Sequence, residues 1–329
     1  MGAGFLIGIV VSAALLIVVL RGIRWHLLGE SLHHARPLPV LVTMAGFMGF
    51  FAAIAFRWKV LLGIRRLRFA ELFEILTIGF LCNLVLPARG GDMVRVVALH
   101  QRERVRMSES LASVLLEKLF DVAALVALLI PAMLWVDLPR WVIVSLTVAV
   151  IGVIVGFALC IALARSSRTF ISLPLFHRLP ERVRSRADSF FTSFRDGLRL
   201  LFSWKKMLAV SLLSLAIWTI NALSGWFLLV GLGIEHVSPG AIFVVIAIIN
   251  LGLIVPSAPG SIGSYEFLGV SALALFHVAR EPALEYALVS HLLGSVIVLA
   301  LGAISMARFG YSLATVSRRA IEGEEAPWV

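Results

Sequence analysis

The sequence predicts an all-α, polytopic membrane protein of about six to eight transmembrane helices, with two re-entrant or broken helical hairpins related as an inverted repeat. Three observations carry that prediction. The 329 residues are 60% hydrophobic and only 15% charged, with a mean hydropathy of +1.00, where globular domains carry about 25% charge. Uncharged stretches long enough to cross a hydrocarbon core recur along the chain. Two further apolar runs are broken by proline and glycine at corresponding places in two halves.

The uncharged stretches are Gly2–Leu20, Leu38–Phe56, Trp141–Ala164, Met207–Ile234, Val237–Tyr265 and Tyr286–Ala307. A further span is expected within Leu111–Val136, although Glu117, Lys118 and Asp121 lie in its first half. The amino-terminal run has no basic region before it and no small-residue cleavage signal after it, so it reads as a first transmembrane helix. Cys82 and Cys160 both sit in apolar runs and form neither a metal spacing nor a disulfide framework.

Charge sets the expected topology. Between Ala164 and Met207 there are ten Lys or Arg against three acids, which places that connector in the cytoplasm by the positive-inside rule. Alternation then makes Arg57–Arg68, Arg95–Arg106 and both termini internal, and Asp137–Arg140 and Glu235-His236 external. Arg21–Arg36 fits poorly, with three extra-facing arginines against one glutamate.

A single membrane domain, 1–329, is therefore expected in two halves. The first runs 1–164 with a broken hairpin at about 69–95. The basic connector is 165–207, and its phenylalanines and leucines from about Pro180 to Lys206 predict an amphipathic helix on the inner leaflet. The second half, 208–310, has its broken hairpin at about 239–266, before a tail of 311–329.

The breaks share a grammar. "NLVLPARGGD" holds Asn83, Pro87, Gly90, Gly91 and Asp92; "NLGLIVPSAPGSIGSYE" holds Asn250, Pro256, Pro259, Gly260, Gly263 and Glu266. The uncharged run Ile75–Ala88 is fourteen residues, where a crossing helix needs roughly 20. Proline removes a donor and glycine lets the chain turn, and unpaired backbone at membrane depth is tolerated only inside protein or beside a watery cavity. Val237–Tyr265 is long enough to cross outright, so the residues alone leave the second break open between a re-entrant hairpin and a full span.

Charges within the membrane are costly and face a polar interior or each other. Arg89, Asp92, Arg95, Glu117, Asp121 and Glu266 read as a headgroup-sized polar cavity, with arginines to hold a phosphate by forked hydrogen bonds. The alternative is that Arg95 with Glu117 or Asp121 is a structural ion pair, that Arg89 snorkels, and that Asn83 and Asn250 cap helix ends. His291, alone in the last span, reads as a polar packing residue, and His33-His34 lacks a metal spacing. There is no Walker A loop or H-E-x-x-H, and Ser261 or Ser264 with His291 makes a weak protease-like dyad, so no enzyme activity, metal or cofactor is expected.

The segments "GFLCNLVLPARGGDMVRVVAL", "ASVLLEKLFDVAAL" and "IVPSAPGSIGSYE" resemble the lysylphosphatidylglycerol synthase transmembrane region, or flippase-like domain family, over roughly residues 5 to 310. The resemblance implies that lipids move between leaflets, and it carries the family's polar core onto Pro87, Arg89, Gly91, Asp92, Arg95, Glu117, Asp121, Pro259, Gly260, Gly263 and Glu266. Asp92 stands where the family pattern has glutamate, and Lys118 where it has arginine. No aminoacyl transferase domain follows Arg308. The expected function is thus a translocase of the bacterial inner membrane. It would move a phospholipid, aminoacyl-lipid, hopanoid or glycolipid downhill or on a proton gradient, with membrane lipids as partners, no nucleic acid, and room for homo-oligomers. The rival expectation is a non-transporting scaffold or accessory subunit of a lipid-biosynthesis complex.

Overall fold

The computed structural model describes residues 35–64, 66–85, 90–132, 139–165, 181–254 and 259–309. The span expected at Gly2–Leu20, His33-His34, Pro87 and Arg89, Pro256, Asp137 and the tail lie outside the described residues. Ten α-helices and no strand are present among the described residues. The all-helical membrane fold expected from composition is what the chain adopts.

Helix α1 (Pro37–Leu62) opens on a proline at its first turn and ends on Gly63, whose φ of 67° lies in the left-handed region that glycine adopts without a Cβ penalty. It is followed by α2 (Phe69–Val85), α3 (Gly91–Glu103), α4 (Met107–Ala132), α5 (Arg140–Arg165), α6 (Glu181–Gly197), α7 (Trp204–Gly231), α8 (Pro239–Gly252), α9 (Ser264–Ala274) and α10 (Arg280–Phe309). By length and composition α1, α5, α7 and α10 are apolar enough to cross a membrane. Helix α4 is as long as α1, 26 residues, and its mid-helix charges Glu117, Lys118 and Asp121 line an internal cavity. Helix α5 turns Val144, Val148, Ile154 and Leu159 outward, at no cost where the surroundings are lipid tails.

Ion pairs sort the loops into two ends. At one end Arg66 donates to the Glu103 carbonyl, Arg102 and Arg308 both reach Glu74, and Arg106 donates to Ser193 of α6. At the other, Arg36 pairs with Glu235 and its amide donates to the Gly231 carbonyl. These groupings are those expected from charge alternation. The pair Arg36–Glu235 is 62% and 56% exposed, so Arg36→Ala should change stability by less than about 1 kcal/mol, checked by thermal unfolding in detergent.

Helices α2 and α3 therefore enter and leave at the basic end, and α8 and α9 at the opposite end. Their lengths are 17, 13, 14 and 11 residues. At about 1.5 Å per residue none spans a core of roughly 30 Å. Within the second break the helix stops at Gly252, a 3-10 turn stands at Pro259–Ser261 and the next helix begins at Ser264.

One expectation needs correction. Arg57, counted above with the basic loop, lies inside α1 and is fully buried; a charge so near a helix end looks like a loop residue until its partner is seen. Helix α6 stands where the connector predicted an amphipathic helix, and it is also held to the bundle. The turn after it buries Leu198, Leu200 and Leu201 against Ala112, Leu116 and Phe120 of α4, and Gly197 lies so close to α4 that an added Cβ would stand 2.7 Å from that of Ala112.

Candidate functional site

The two breaks meet. A Cβ added to Gly260 would lie 3.3 Å from the Leu84 carbonyl oxygen, so the turn of the second hairpin touches the end of α2. Each break is closed by a side-chain oxygen on a glycine amide. In the first, Gly91 N–H donates to Asn83 Oδ1 at 2.8 Å. In the second, Gly263 N–H donates to Glu266 Oε2 at 2.6 Å, the reach-back of a third-position glutamate to a helix start. Gly263 has φ 84° and Gly260 φ 65°, both in the left-handed region where glycine pays no Cβ penalty. Pro259 opens the 3-10 turn Pro259–Ser261, which contains Gly260.

Around this junction lies a cavity of about 600 Å³, within the range of pockets that enclose small ligands (about 300–1,000 Å³). The first hairpin gives it Asn83 and Asp92, the second Asn250, Gly260 and Ser261, and α4 gives Glu117, Lys118 and Asp121. An aromatic side is made by Phe47, Phe51, Phe80 and Trp218. The cavity is lined by both charged and apolar side chains.

The charged part of the lining is a layered cluster. Arg95 makes a forked pair with Glu117, Nη1 to Oε1 at 3.0 Å and Nη2 to Oε2 at 3.1 Å, and its guanidinium stacks on Trp58 at 4.5 Å. Arg57 Nη1 donates to Asp121 Oδ1 at 2.6 Å and to Ser214, and Trp218 Nε1 also donates to Asp121. Lys118 Nζ lies 3.2 Å from Asp92 Oδ2. Three cations and three carboxylates thus balance within the described cluster. Arg57 and Arg95 lie behind the cavity wall, and the fork expected for a phosphate is taken by Glu117. Lys118, 39% exposed, is the cation of this cluster that a ligand can reach.

Close packing fixes the fork. An added Cβ on Gly79 would meet Arg95 Cγ at 2.3 Å, and one on Gly91 would meet the Gly79 carbonyl oxygen at 1.9 Å. The side chain of Arg95 therefore runs through a notch that only glycine leaves open. Asn250 donates to the Ile246 carbonyl, tying off the last turn of α8, and still lines the cavity. Arg57, Gly79, Lys118 and Trp218 are not among the site residues expected from the sequence. His291, expected as a satisfied polar packing residue, bonds to Glu266 and to the Gly260 carbonyl. The signal available for it was a lone titratable group inside an apolar span, which is a functional hypothesis by default.

Against known proteins, residues 5–302 match the model of the lysylphosphatidylglycerol synthase TM region. This chain belongs to that family. Among relatives of this synthase-type membrane region, a UPF0104 membrane protein of Methanothermobacter thermautotrophicus is 23% identical over 327 residues, covering 93% of this chain and 95% of the relative. A second UPF0104 membrane protein of that organism is 23% identical over 276 residues, 80% of this chain and 81% of the relative. The glycosyltransferase AglD of Haloferax volcanii is 25% identical over 276 residues, 73% of this chain but 43% of that protein. No solved structure matches. The synthase-type membrane region thus stands nearly alone in the first two relatives and as part of a longer protein in the third.

Proposed function

We propose that this protein carries the polar head of an amphiphilic lipid between the leaflets of the cytoplasmic membrane, through the cavity between its two hairpins and without ATP hydrolysis. The observation that carries this reading is the meeting of two half-length hairpins, entering from opposite ends, around a cavity lined by both charged and aromatic side chains. Broken helices at matching places in two halves are where transporters hold their substrates. The head lies against Lys118, Asp92 and the amides of Asn83 and Asn250, while the tails stay beside the aromatic side and the surrounding lipid. The substrate is a phospholipid, aminoacyl-lipid, hopanoid or glycolipid, and the basic end of the fold, with the connector and both termini, faces the cytoplasm.

The test is leaflet exchange of a fluorescent phosphatidylglycerol in vesicles holding the purified protein. Lys118→Met and Asp92→Asn each remove one partner of the exposed pair and should slow exchange about tenfold or more, the loss of one charge-assisted contact. Equal rates in wild type, both variants and protein-free vesicles would overturn the reading for that lipid. The second reading, an accessory subunit that gathers lipid-biosynthesis enzymes, is favoured by one observation: a related region lies within the longer glycosyltransferase AglD. It predicts co-purification with such an enzyme that survives both substitutions.

A further inference from the structure

His291 projects from α10 onto the turn of the second break. Its Nε2 lies 2.8 Å from the Gly260 carbonyl oxygen. A carbonyl only accepts, so Nε2 carries a hydrogen. Its Nδ1 lies 2.6 Å from Glu266 Oε1, and a hydrogen bond there needs one more proton. That proton sits either on Nδ1, as an imidazolium facing a carboxylate, or on Glu266, as an acid donating to Nδ1. A neutral imidazole with Nε2–H beside an ionised Glu266 would set two lone pairs against each other. Glu266 Oε2 offers no relief, because it accepts from Gly263 N–H.

We propose that Glu266 and His291 together form a binding site for one exchangeable proton, and that losing it unfastens the second break from α10. When the proton leaves, neutral His291 keeps a single N–H. That hydrogen serves either the Gly260 carbonyl or Glu266, so one of the two ties must go. Coupling of this release to lipid passage rests on the translocation reading; the proton site itself does not.

The surroundings suit the task. His291 lines the cavity, so a proton can reach it from there. The Tyr265 ring stacks on the imidazole at 4.5 Å and 21°, and its hydroxyl is bonded to Ser290, which holds the ring plane on its two partners. The titratable and charged neighbours can be named element by element. Helix α9 brings Tyr265, α10 brings Tyr286, and α2 brings Cys82, which is buried in an apolar cluster. The polar side chains that α7 and α8 bring to the cavity are Trp218, Asn221 and Asn250, none of them titratable, and α1 brings phenylalanines and Ile54. Asp92, Glu117, Lys118 and Asp121 on α3 and α4 are engaged with one another and with the two arginines.

The test reads the break directly. In the full chain carrying Cys82→Ala and Cys160→Ala, Ser261→Cys is labelled by a water-soluble maleimide across a pH series, and each rate is divided by that of a free model thiol. The corrected rate should rise about tenfold as the proton is lost, the equivalent of one charge-assisted hydrogen bond. Glu266→Gln should hold it low at every pH, because the amide donates to Nδ1 without a bound proton. His291→Gln should hold it high at every pH. A corrected rate that does not change with pH in the parent, or that titrates alike in Glu266→Gln, overturns the site. Coupling is read in vesicles with fluorescent phosphatidylglycerol: a pH gradient should bias exchange in the parent and not in Glu266→Gln. Exchange that ignores the gradient overturns the coupling, while no exchange in any vesicle overturns the translocation reading and leaves the labelling result to decide the proton site.

Discussion

Glu117→Ala and Arg95→Ala should each destabilise the protein by about 3–5 kcal/mol, the cost of leaving one buried charge without its partner. Both side chains are almost fully buried, 1% and 2% exposed, and the forked geometry leaves no other cation or carboxylate to replace the missing one at equal distance. Arg95→Ala also strips the guanidinium from the Trp58 ring and empties the notch at Gly79. The double variant Arg95→Met with Glu117→Met should recover most of the loss, since a well-packed apolar pair often matches a buried ion pair in stability. Thermal unfolding in detergent, followed by tryptophan fluorescence, separates the three. Additive losses in the double variant would mean that the two side chains act separately, against the geometry of the fork.

Gly91→Ala should be comparably damaging for a different reason. The new Cβ would sit 1.9 Å from the Gly79 carbonyl oxygen and 2.7 Å from Asn83 Oδ1, and the first of these is backbone that cannot swing away. Helices α2 and α3 must separate, which breaks the Gly91–Asn83 bond and pulls Arg95 off Glu117. Overpacking of this kind costs typically about 1–3 kcal/mol and occasionally more, and here the lost cap and the disturbed ion pair add to it. Gly49→Ala is the matched control: nothing lies within 4 Å of its Cβ position, so helix propensity alone should raise stability by about 0.5–1 kcal/mol. Unfolding temperatures of the two variants should therefore move in opposite directions.

Much of the architecture could be read from the residues because membranes make local rules strict. Uncharged runs bounded by charges gave α5, α7 and α10 to within a few residues. Proline and glycine after an asparagine marked both breaks, since a helix ended at membrane depth needs a turn and a cap. The alternation of basic loops put Arg66 and Glu103 at one end and Glu235 at the other, where Glu235 meets Arg36 of the segment that fits the alternation poorly.

What escaped was the pairing of side chains across elements. Arg57 meets Asp121, 64 residues away, and no periodicity in one helix announces a partner on another. The inward face of α4 could be guessed from Glu117 and Asp121 four apart, but not that the arginines stand behind the wall while Lys118 stands in front. Nor could Glu266 and His291, 25 residues apart, be joined from sequence, because the turn of Gly260 and Gly263 sets their distance. The candidate site is thus a product of packing laid over breaks that the chain spells out locally.

The central claim is that lipid heads pass between the two breaks. It is tested most directly by joining Leu84→Cys to Ser261→Cys with a short bifunctional thiol reagent containing a cleavable disulfide, in the background lacking Cys82 and Cys160. Leaflet exchange of fluorescent phosphatidylglycerol should stop when the breaks are linked and return when the link is reduced. Exchange that continues at the unlinked rate with the link in place would contradict passage between the hairpins.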